Sequence, residues 1–183
     1  MPTSPILDMG PAELVWAYGE SDAAYLGHTL GGVKVTMETN AADILEDQNG
    51  DAPVNAVLTG SVMNIEVNLT RLSIAELRRV MLVDEVAGTP CVVPIENQIG
   101  CDLYSLAKAL VIKPLCGNVV SDNPCEWVHI YKAYPLVGLD LTWDKDTQRV
   151  FPVKFKVFVS YDSGESGTFG TIGMDSAATE LGL

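Results

Sequence analysis

The most constraining stretch of the chain is Ser61–Thr70, SVMNIEVNLT, in which Met63, Ile65, Val67 and Leu69 alternate with Asn64, Glu66, Asn68 and Thr70. A period of two puts the apolar set on one face of a strand and the polar set on the other. A shift of one residue would invert the two faces, so a pattern this clean fixes its own register. The same period recurs upstream. Gly31-Gly32 turns into Val33-Lys34-Val35-Thr36-Met37-Glu38, with Val33, Val35 and Met37 on one side. Between the two runs lies Asp47-Gln48-Asn49-Gly50-Asp51, where Asn-Gly supplies the left-handed backbone of a turn.

A helix is expected straight after the second strand, over about 73–83. Ser73-Ile74-Ala75-Glu76 is a capping box, with the Ser73 hydroxyl accepting from the Glu76 N–H and the Glu76 carboxylate reaching back. Ile74, Leu77 and Met81 share one face, Arg78 and Arg79 point outward, and Gly88 and Pro90 end the element.

Elsewhere, Glu13–Tyr18 is a short apolar strand. Asp102–Ile112 reads as a short helix and Pro114–Pro124 as loop, inside an irregular insertion at about 84–126. Trp127–Val137 alternates, with Val128, Ile130 and Lys132 on one side and Trp127, His129 and Tyr131 on the other. Leu139–Trp143 continues it towards a turn at Asp144–Thr147. Val150–Tyr161 closes the domain with Val153, Phe155, Val157 and Val159 inward and Lys154, Lys156 and Ser160 outward. Strands with a single capped helix imply a mainly β fold: one domain over 1–183, an antiparallel β-sandwich or half-barrel with the helix packed at its side.

Composition narrows the function. The net charge of −13 argues against gripping nucleic acid, because affinity for phosphates comes from clustered Lys and Arg. Before Arg71 the only basic residue is Lys34. An apolar share of 48% with 19% charged residues favours an oligomer that buries surface between subunits. No apolar run is long enough for a membrane-spanning helix. The opening MPTSPILDMG lacks the basic and apolar regions of a secretory signal, so a cytoplasmic setting is expected. Cys91, Cys101, Cys116 and Cys125 match no CxxC metal pattern and read as free thiols, with Cys116–Cys125 the best candidate bridge.

Chemistry finds little to work with. His28 and His129 sit in no nucleophile or metal motif, and no P-loop, GxGxxG, G-x-S-x-G or H-E-x-x-H is present. Glu46–Asp51 resembles a calcium loop, but counting back from Gly50 places Leu45 where an EF-hand needs a carboxylate. Asp140, Asp144 and Asp146 fit an acidic hairpin turn better than a cation site. No cofactor and no enzymatic activity are expected. One different class stays open: a carbohydrate-binding β-sandwich using Trp127, Tyr131 and Trp143 as stacking platforms.

The order of parts resembles the tail tube (major tail) proteins of long-tailed bacteriophages. The resemblance is carried by Tyr25-Leu26-Gly27-His28-Thr29-Leu30-Gly31-Gly32-Val33, Asp47–Gly50 with Pro53-Val54, and Leu58-Thr59-Gly60 leading into Ser61–Thr70 and the capped helix. His129–Tyr134, Val150–Tyr161 and Thr171-Ile172-Gly173 carry it later in the chain. It implies a virion structural protein, assembled in the host cytoplasm, whose subunits close into rings, commonly hexamers, that stack into a hollow tube. DNA would pass through this tube without specific binding. Partners would be further copies of the chain and other tail proteins such as terminator and tip or tape-measure proteins, with no membrane. Lys34, Thr36, Glu38, Asn64, Glu66 and Asn68 become candidates to face the lumen as an acidic or neutral wall. Glu46, Asp47, Gln48, Asn49, Gly50, Asp51, Pro53 and Val54 become a candidate intersubunit loop. A tail terminator, neck adaptor or type VI secretion tube protein would share the fold.

Overall fold

The computed structural model describes residues 11–21, 23–26, 28–45, 47, 52–70, 72–83, 91–95, 99–116, 119–137, 150–162 and 167–173. The strands are β1 (Ala12–Trp16), β2 (Ala24–Tyr25), β3 (His28–Leu45) and β4 (Pro53–Thr70). After helix α1 (Ile74–Met81) come β5 (Lys108–Cys116), β6 (Val119–Val120), β7 (Val128–Val137), β8 (Phe151–Phe158) and β9 (Gly170–Ile172). They form one nine-stranded sheet in the order β2-β1-β5-β7-β8-β4-β3, with β6 on β5 and β9 on β7. Every pairing is antiparallel. The fold is therefore mainly β with one helix, as the sequence implies.

The sheet bends at β7. Its first half, Val128–Ala133, pairs with β5, while Lys132–Val137 pairs with β8. This fold brings strands from opposite ends of the order around one core. Leu14 and Trp16 of β1 are buried with Leu110 of β5, Ile130 of β7, Val153 and Phe155 of β8, and Ile65, Val67 and Leu69 of β4. Where the two ends approach, the Thr29 hydroxyl donates to the Ala12 carbonyl at 3.4 Å. The sheet curls into a half-barrel but is not closed into a barrel.

The capping box is present in full: the Glu76 N–H donates to Ser73 Oγ at 3.2 Å and the Ser73 N–H to Glu76 Oε2 at 2.6 Å. Val80 is the helix's deepest apolar residue, at 2% exposure, whereas Ile74 is exposed. Arg79 faces solvent as expected, but Arg78 does not. Its guanidinium turns inward, and Nε and Nη2 both donate to the Val92 carbonyl, at 3.1 and 2.9 Å. A buried cation needs such partners, and here the pairing straps the 91–95 segment to the helix.

Two further expectations change. Lys108–Cys116 is strand β5 at the centre of the sheet rather than a helix or irregular insertion. Ser160 is fully buried, and its N–H donates to the Thr168 carbonyl at 2.8 Å. Cys91, Cys101 and Cys125 are free thiols, as the sequence reads; all three are exposed, and Cys125 is not bridged to Cys116.

Candidate assembly surfaces

The β3–β4 hairpin outruns the body of the protein. β8 accompanies β4 only from Met63 to Leu69. From Val62 back to Pro53, β4 has β3 alone beside it among the described residues. The result is a two-stranded ribbon, Glu38–Leu45 against Pro53–Val62, that extends roughly 25 Å past the sheet at strand rise. All of its residues are exposed except Ser61, which is half-buried.

The ribbon's two faces follow from its register. Ala41 faces Leu58 across the pair, while Ala42 faces Val57 and Ile44 faces Asn55 on the other side. Met37, Leu45 and Leu58 therefore load one face, and Ile44, Val57 and Val62 the other. Each is between 43% and 72% exposed. A lone two-stranded ribbon is marginal in water, and this one carries exposed apolar side chains on both of its faces. Thr59 and Val54 are skipped in the register, so β-bulges add twist there. Of the predicted intersubunit loop, Pro53 and Val54 begin β4 within this ribbon, and Asp47 is exposed just beyond β3. Glu46, Gln48, Asn49, Gly50 and Asp51 lie outside the described residues.

At the ribbon's root, the six predicted lumen residues fall on one face. Lys34 pairs with Glu66, Thr36 with Asn64 and Glu38 with Val62, and Asn68 stands opposite the bulge at Leu30–Gly32. That bulge needs left-handed backbone at two successive positions, and Gly31 and Gly32 supply it at φ +82° and +83°. Behind this face, Ile65 and Val67 point into the core.

The ladder continues into β8, which the sequence does not reveal. Glu66 pairs with Lys154 and Asn64 with Lys156; Leu136 and Tyr134 of β7 complete the two rows. Lys154 Nζ lies 2.7 Å from Glu66 Oε1. That hydrogen bond, then the lysine's charge, and more weakly the charge of Lys34, hold the Glu66 carboxyl below the ordinary carboxylate range. The face is thus not an acidic wall. Lys34, Lys154 and Lys156 stand against Glu38 and Glu66, a small cationic excess on a strongly acidic protein.

The four-stranded unit made by β3, β4, β8 and the second half of β7 is open on both sides. β3 is the last strand of the sheet. β5 leaves β7 at Ala133, so Tyr134–Val137 has no strand opposite β8's side among the described residues. Open edges offer unpaired N–H and C=O groups to another chain.

The opposite outer face, over β1, β5 and β7, carries an aromatic group. Lys113 Nζ sits 3.9 Å from the Trp127 ring centre and 5.5 Å from that of Tyr18. His129 lies edge-on to Tyr18 at 5.9 Å and to Tyr131 at 5.0 Å. Burial pushes the Tyr18 hydroxyl and the Glu13 carboxyl up and the Lys113 ammonium down; the last two face each other in the register and partly offset this. Trp127 is 5% exposed, and its indole N–H donates to the Ser121 carbonyl at 2.8 Å. It offers no open platform for a sugar ring. Trp143, Asp140, Asp144 and Asp146 lie outside the described residues.

His28 is exposed at the start of β3. No group of three or more His, Cys, Asp or Glu is placed to hold a metal ion among the described residues. No helix among them is long and apolar enough to cross a membrane. Neither protein-family models nor curated protein sequences gave a match to this chain.

Proposed function

We propose that the chain is the subunit of a self-assembling tube of the kind formed by phage tail tube proteins, with rings of copies stacking into a hollow conduit for DNA. The β3–β4 ribbon carries this reading. It is exposed, carries apolar side chains on both faces and is continuous with the sheet, which suits an arm inserted between neighbouring copies. A monomer gains nothing from such an element and takes on an aggregation risk.

Two observations agree with it. The open edges of the four-stranded unit suit head-to-tail joining of sheets around a ring, and a heterologous contact that closes by rotation gives rings that can stack. The polar face of that unit would then line the conduit, with Lys34, Thr36, Glu38, Asn64, Glu66 and Asn68 towards the lumen. In this reading the chain resides in the virion tail and meets terminator and tip or tape-measure proteins at the tube's ends.

Negative-stain microscopy of the purified protein tests the proposal. Tubes or rings with a central channel are expected. Replacing residues 39–61 with a short Asn-Gly turn should abolish tubes while leaving a folded subunit. A strictly monomeric protein at high concentration would sink the reading, as would tubes unaltered by loss of the ribbon.

A further inference from the structure

Four described Lys and Arg side chains are exposed: Lys34, Arg79, Lys154 and Lys156. Three of them share the polar face of β3, β4 and β8. On a chain of net charge −13, scattered lysines would be unremarkable, but three on one sheet face form a local cationic site. Lys34 and Lys154 flank Glu66 in a single row across three strands. Lys156 stands two residues along β8, roughly 7 Å away at strand rise, with its Nζ 5.8 Å from the Phe158 ring centre.

We infer that Glu66 masks a phosphate-binding row of lysines, so that this face meets duplex DNA without holding it. The chemistry is that of the phosphodiester backbone, which is read by charge and not by sequence. Lys34 and Lys154 are placed to meet phosphates, and Glu66 lies between them with Lys154 already engaged at 2.7 Å. An anion fixed in the row lowers the local potential where a phosphate would sit, and salt screens what remains. The lysines of this face without it would retain DNA. A row without the lysines would repel it. The alternation gives a surface along which a polyanion slides. The choice of DNA as the polyanion rests on the conduit reading; the masking by Glu66 rests on the row itself.

The test is fluorescence anisotropy of a short labelled DNA duplex with the purified protein over a series of salt concentrations. Glu66→Gln should tighten binding about three- to tenfold at low salt and steepen the salt slope by about one to two. Glu20→Gln removes the same charge from a separate ion pair with Lys108 (2.9 Å) and should leave binding near wild type. Adding Lys34→Gln and Lys154→Gln to Glu66→Gln should erase the gain. Should Glu66→Gln disturb folding, Lys154→Met in the natural background should weaken low-salt binding below wild type. Equal gains from the Glu66 and Glu20 variants would overturn the inference, because net charge alone would then explain them. So would a gain that survives loss of both lysines, or a Glu66 variant that tightens self-association and leaves DNA affinity unchanged. Micrographs of the same samples keep the two proposals apart, since tubes can form whether or not Glu66 masks the row.

Discussion

Trp16 of β1 and Phe155 of β8 lie three places apart in the sheet order, yet their rings meet at 5.6 Å with a 39° tilt. Only a strongly curled sheet allows this contact. It ties the β1–β5 side of the half-barrel to the β8–β4 side that carries the ribbon. Phe155→Ala should cost about 3–5 kcal/mol, the usual range for emptying a buried aromatic site. A double-mutant cycle with Trp16→Leu should return a coupling of about 0.5–1.5 kcal/mol. Denaturant unfolding followed by tryptophan fluorescence measures the first, and circular dichroism gives the full cycle. Strict additivity would mean that the two rings act independently.

Arg78 supports a second expectation. Its burial is tolerable because the Val92 carbonyl accepts from both Nε and Nη2. Arg78→Ala should destabilise the fold by about 1–3 kcal/mol through the unsatisfied carbonyl and the lost packing. Lysine presents no planar fork, so Arg78→Lys should recover only part of the loss. Proteolysis within 91–95 would report the freed strap, and unchanged resistance in the alanine variant would count against it.

Elements differ in how far their sequence alone reveals them. The Ser61–Thr70 strand and the Ser73 capping box are local patterns, and both stand as read. Part of β5 reads as a helix in the sequence because Leu110, Val111 and Ile112 are all buried. A strand covered on both faces reads as a continuous apolar run with no period of two. The sequence conceals the ribbon's length for the converse reason: with both faces exposed, Thr39–Leu45 and Pro53–Gly60 have no inside and outside to alternate. The Lys34–Glu66–Lys154 row needs residues about 30 and 90 positions apart, and only strand pairing brings them together. The same holds for Arg78, whose partner is a backbone carbonyl that carries no side-chain signal.

The outer face should show itself in the pH dependence of stability. Burial raises the Glu13 carboxyl above its ordinary value, against the charges of Lys113 and His28. In the window just above that ordinary value, the folded state holds a proton that the unfolded state has released. Stability contributed by this group is therefore present at lower pH and falls as pH rises through the window. Glu13→Gln should flatten that part of the profile and leave stability at neutral pH equal to wild type or higher. Glu66 has the opposite sign: its carboxyl is lowered, so its contribution is present above the ordinary value and is lost as pH falls through the folded one. Thermal unfolding of both variants from acid to neutral pH separates the two. A Glu13→Gln profile parallel to wild type would remove the carboxyl from the account.

The ribbon gives the sharpest separation of folding from assembly. Leu58 is 72% exposed and faces Ala41, so in a single subunit its side chain stands largely in water. Leu58→Lys should then change subunit stability by no more than about 0.5 kcal/mol, as surface substitutions usually do. Between copies the same lysine would take an ammonium into an apolar contact, at a desolvation cost. Assembly should fail while the fold stays intact. Val57 points to the ribbon's other face, opposite Ala42, and Val57→Lys should have the same effect if both faces are covered. Sedimentation velocity together with thermal unfolding of each variant distinguishes the cases. Loss of assembly in only one variant would leave the ribbon packed on a single face. Full assembly in both would mean that it projects freely into solvent.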